Sequence, residues 1–147
     1  MKFARLRLLI LLGCLAPILA GWVFLNRLKR LGYLDSVIGT MRELVVAETK
    51  FAQVHSEIGY TCALSALPSD GVTAEVIETG RRNEYAFQIS GCSAGLQAQA
   101  NIKFKYQITA RPLLDGMPAF CSDQSGVLRY DVGGSIRKCV ENGVPWP

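Results

Sequence analysis

The chain has 147 residues, a formal charge of +4, a half share of hydrophobic residues, five cysteines and one histidine. That length leaves room for one small domain beside any terminal segment. The positive charge is uneven: six of the sixteen Lys/Arg precede Leu31, which leaves ten against all twelve Asp/Glu beyond it, and a domain of about −2 gives no electrostatic case for a nucleic-acid partner.

Leu8 to Leu25 (LLILLGCLAPILAGWVFL) carries no charged side chain. Eighteen residues in a helix reach roughly 27 Å, close to the ~30 Å hydrocarbon core of a bilayer. Lys2, Arg5 and Arg7 precede the run, Arg27, Lys29 and Arg30 follow it, and Trp22 suits an interface. A transmembrane anchor over residues 8–25 is therefore expected, with membrane lipid as a partner, and basic flanks on both sides leave its orientation open. A cleaved signal peptide has a shorter apolar region ending at a small-x-small site; here the run continues past Ala16 and Ala20. Leu11, Leu12, Gly13 and Cys14 form a loose lipobox, a third reading weakened by the apolar residues that follow Cys14.

Cys14 belongs to the apolar run, leaving Cys62, Cys92, Cys121 and Cys139 for the domain beyond it. None of these forms a CxxC pair and His55 is the single histidine, so neither a metal nor a cofactor is expected. Two disulfides in an oxidising compartment are the natural reading, and four thiols allow three pairings. Joining neighbours, Cys62 with Cys92 and Cys121 with Cys139, closes local loops worth about 3 kcal/mol each in the chain-entropy account.

From Leu34 to Ile58, Val37, Met41, Leu44, Ala47, Phe51, Val54 and Ile58 recur at helical spacing and form the candidate interaction stripe of a long helix running to about Gly59. Gly59 to Gly71 is a punctuated connection containing Cys62. Tyr85–Ser90 and Phe104–Thr109 alternate as strands do, and shorter strands are predicted at Ala119–Cys121 and Val127–Tyr130, with Asp123 and Gly126 turning between them. The tail from Gly133, rich in glycine and polar residues, would be loosely ordered without a bridge at Cys139. The predicted fold is α+β: a long N-terminal helix against an antiparallel sheet of about four strands. Its division is a basic N-terminus (1–7), the span (8–25), an extracytoplasmic continuation of the helix (26–58) and a disulfide-bridged head (59–147).

No catalytic constellation accompanies these elements. His55 has no nucleophile near it in sequence and reads as a surface or packing residue. Ser135 and Lys138 have SxxK spacing, but they follow two glycines, are not expected to be helical and lack companion motifs. Arg81, Arg82, Lys103 and Lys105 read as a solvated strip on the first strands. No enzyme is expected.

Beyond Asp35, SVIGTMRELVVAETKFAQVHSEIGYTCALSAL followed by EYAFQISGC, KYQITARP and AFCSDQSGVLRYDVGG resembles the type IV pilin and pseudopilin family in the order and spacing of its parts. The resemblance covers the second half of the long helix and the head. It implies a cytoplasmic N-terminus, a single pass through a bacterial inner membrane and a head in the periplasm or on a filament. It further implies a non-catalytic subunit of a type IV pilus or type II secretion-like system, acting through helix packing and head contacts with other pilin-like subunits, as a homo- or hetero-oligomer. The N-terminal region departs from the family: neither Gly13, followed by CLAPI, nor Gly21, followed by WVFLN, matches its Gly-Phe-Thr-Leu-Ile-Glu peptidase site, and no acidic residue precedes Asp35. The alternative expectation is a tethered binding or assembly module with a pilin-like head that does not polymerise.

Overall fold

A computed structural model describes residues 2–57, 59–68, 74–92 and 105–147, with the side chains of residues 2–19 excepted. The chain divides into two compact units, Met1–Leu34 and Asp35–Pro147, with helix α1 (Lys2–Val54) contributing to both.

Within the first unit, Trp22, Phe24, Leu25, Leu28 and Leu31 are all exposed. Among the described residues no helix is long and apolar enough to cross a membrane. Most of the predicted span, residues 8–19, lies outside the described side chains.

The second unit takes in the part of α1 that the sequence division assigned to a separate segment. Val37, Met41, Leu44 and Ala47 are buried at 0–3% exposure, because their three- and four-residue spacing places them on one helix face turned to the sheet. The helix stops at Val54, short of the predicted Gly59, and Ile58 lies outside the described residues. A 3-10 turn at Leu64–Ala66 and the short helix α2 (Ala74–Thr79) lead into the sheet.

The strands are β1 (Arg81–Arg82), β2 (Tyr85–Ser90), β3 (Gln107–Pro112), β4 (Ala119–Asp123), β5 (Arg129–Asp131) and β6 (Val144–Pro145). Among the described residues they form one antiparallel meander in chain order, six strands where about four were predicted. The two additional strands are the edges, each only two residues long and too short to leave an alternating pattern. The second predicted strand runs over Gln107–Pro112; Phe104, its predicted start, lies outside the described residues.

Registers of Phe87↔Ala110 and Ala110↔Phe120, with Ile89↔Ile108 beside them, collect large residues on one face of the sheet. These five side chains are buried, Ile108, Ala110 and Phe120 completely. Phe120 extends this core toward the edge through an edge-to-face contact with Trp146, ring centres 5.5 Å apart. The opposite face carries Cys121, bonded to Cys139 of helix α3 (Ile136–Asn142). A helix thus occupies the tail whose order the sequence made dependent on a bridge at Cys139. Ser135 caps it by accepting the N–H of Lys138 at 3.3 Å, and Gly143 ends it where any Cβ would collide with the carbonyl of Cys139. The predicted reversal between β4 and β5 is present: Asp123 Oδ1 accepts the N–H of Ser125 at 2.8 Å, and Gly126 adopts φ 72°, open to glycine at little cost.

Candidate interaction surface

The residues of the predicted stripe separate into two groups. Val37, Met41, Leu44 and Ala47 are buried in the core of the head. Phe51 is half-buried and Val54 is 79% exposed, so the outward part of the stripe is its C-terminal end.

A different side of the same helix segment borders open apolar surface. Met41, Arg42, Val45 and Val46 line a groove of about 290 Å³ with Ser122, Gly126 and Leu128 from the β4–β5 region. Val46 is 54% and Val127 41% exposed on this flank. A second hollow of about 290 Å³ lies between Lys50, Phe51, Val54 and His55 of the helix end and Ala66 and Pro68 of the connection. Spacing alone did not single out Val45 and Val46, because they lie off the stripe; consecutive valines on an otherwise polar helix side were the available signal.

Between α1 and the β1–β2 hairpin the contact is polar. Ser36, Thr40 and Glu43 share one helix side, and the hairpin reaches all three: Asn83 donates to Ser36 Oγ at 2.7 Å, Arg82 donates to Thr40 Oγ1 at 3.0 Å, and the same guanidinium lies 3.9 Å from Glu43. Asn83 sits at φ 50° in the two-residue turn, a conformation asparagine tolerates better than most residues. Arg82 is therefore a hairpin clamp, not part of a solvated strip. Arg81 and Lys105 are exposed, and Lys103 lies outside the described residues.

Glu48 is the residue that the stripe conceals. Its four-residue spacing from Leu44 puts a carboxyl among core positions, and it is fully buried. Oε2 accepts the N–H of Thr61 at 3.0 Å, while Oε1 is buried with no partner among the described residues. Burial pushes this carboxyl up to about 7, against the downward pull of the Thr61 N–H. The phenol of Tyr106 is raised too, first by its own burial and then by Tyr60, Glu48 and Asp123. Tyr60 and Tyr106 meet edge to face with ring centres 4.5 Å apart. Thr61 adjoins Cys62, whose bond to Cys92 ties the connection after α1 to the end of β2. Carboxyl, phenols and bridge together form a clasp that pins this connection to the helix.

The side chains singled out for chemistry are engaged in packing and capping. His55 is exposed, stacks on Phe51 at 4.2 Å and approaches the carbonyl of Phe51 at 3.1 Å. The Ser135 hydroxyl is engaged as a helix cap by the backbone N–H of Lys138. Among the described residues no group of three His, Cys, Asp or Glu is placed to hold a metal ion. What the arrangement offers is surface: two apolar hollows beside the outer part of α1, framed by a disulfide-bonded head. No family model, curated protein or solved structure matches the chain.

Proposed function

We propose that this protein is a non-catalytic, pilin-like or pseudopilin-like subunit of a type IV pilus or type II secretion-like filament system, anchored in the bacterial inner membrane and acting through contacts of α1 and the head. The observation that carries this reading is the dual use of α1: the segment from Val37 to Ala47 is the core of the head, and the same helix begins in the apolar run. A helix used in this way presents its outer side to neighbours, and Val45, Val46 and the groove beside them are the surface available for that contact. The antiparallel meander and two disulfides suit a small domain working outside the reducing cytoplasm.

The test is a photo-crosslinking residue placed at Val46 in the full-length protein in cells. Ladders of cross-linked pilin-like subunits are expected. Monomer alone at Val46 and also at Phe24 would remove the filament from this reading. Intact mass of the membrane-extracted chain should show the N-terminus retained, and a chain beginning at Cys14 or Trp22 would overturn the uncleaved anchor.

A second reading is favoured by the sequence before Asp35, which lacks both the family's peptidase site and its glutamate. In that reading the protein is a tethered binding or assembly module that keeps the head and does not polymerise.

A further inference from the structure

Phe24 to Leu31 takes in the end of the apolar run and the segment just beyond it, and its two sides differ. At 100° per residue, Phe24, Leu28 and Leu31 fall on one side of α1, with Leu25 at its edge, while Arg27, Lys29 and Arg30 fall on the other with Asn26 between them. The apolar side chains are 48–62% exposed, and the three cations are exposed too. No carboxylate of the described residues pairs with these cations, and the first acidic residue in the chain is Asp35. Lys2, Arg5 and Arg7 already supply the basic flank at the other end of the run. Cations on both sides of a span are not what topology alone requires, since positive charge collects on the cytoplasmic side. The second cluster therefore calls for an anionic partner that is present wherever the helix leaves the bilayer.

We infer that Arg27, Lys29 and Arg30 bind the headgroups of anionic phospholipid where α1 leaves the membrane surface, with Phe24, Leu28 and Leu31 at the same level on the other side of the helix. This rests on the membrane-anchored reading above. Long basic side chains at the end of a span reach outward to the headgroups while their stems stay against apolar surface, and three exposed cations soon after Leu25 are placed to do so. Three such cations near an anionic surface favour anionic over zwitterionic lipid about tenfold or more.

The experiment uses the full-length protein, reconstituted first into bilayers and then extracted in mild detergent for counting of retained lipids by native mass spectrometry. Phosphatidylglycerol and phosphatidylcholine are the probes. The expected result is preferential retention of phosphatidylglycerol by about tenfold, lost in the combined R27Q, K29Q and R30Q variant and weakened by salt. Equal retention of the two lipids by a protein that has entered the bilayer would overturn the inference and leave the anchor standing. Displacement of phosphatidylglycerol by equimolar inorganic phosphate would overturn it as a lipid site. Failure of the protein to enter bilayers of either composition would overturn the anchored reading itself, and this inference with it.

Discussion

Glu48 occupies a position where the helix spacing calls for an apolar residue, and its consequence is a dependence on pH. Its carboxyl is raised from 4.5 to about 7 in the folded protein, so the folded state holds the proton more tightly than the unfolded chain. The resulting stabilisation is fully present below 4.5 and is lost as the pH rises through about 7. Wild-type stability should therefore fall by up to about 3 kcal/mol from pH 5 to pH 8 through this group. Glu48→Gln keeps a carbonyl for the Thr61 N–H and should flatten that slope; urea denaturation at the two pH values measures it. A slope unchanged by the substitution would mean that the clasp does not titrate. The residue scale also separates the two sides of α1: Leu44→Ala should cost about 2–5 kcal/mol as a cavity in the core. Val46→Ala, at an exposed position, should change stability by less than about 0.5 kcal/mol in the same denaturation assay.

Among the elements, α3 is one whose place depends on a covalent bond. It spans only Ile136–Asn142, too short to be stable alone, and it is fixed to β4 by the buried Cys121–Cys139 bridge and to the preceding turn by the Ser135 cap. Replacing both of these cysteines with alanine should lower stability by about 2–5 kcal/mol and speed hydrogen exchange over α3 and β6 first. Unchanged protection there would show that packing alone holds the tail. The extent to which elements were legible follows from length. Tyr85–Ser90 has six residues of clean alternation and was read with its observed bounds, while β1 and β6 have two residues each and exist because a neighbouring strand offers hydrogen bonds. Helix α3 was unreadable for a related reason: a short polar segment after two glycines has no period to detect, and a disulfide decides its fate.

For the whole molecule, the division at Leu34 and Asp35 predicts that the head is autonomous. A chain beginning at Asp35 and exported to an oxidising compartment should form both bridges and unfold in a single cooperative transition, as followed by circular dichroism. A chain beginning after Glu48 should not fold, because it lacks Val37, Met41, Leu44 and Ala47. The sequence by itself determined the α+β class, the long N-terminal helix, the main strands and the choice of neighbouring cysteines that the structure joins. Each of these is written in local periodicity or short loops. Only the tertiary structure decided where along the helix stripe burial ends, with Val37 to Ala47 in the core and Val54 exposed, that Arg82 clamps a hairpin, and that Glu48 is buried with one oxygen unpartnered among the described residues. Periodicity says that a helix has a face; which face is covered depends on residues far away in the chain.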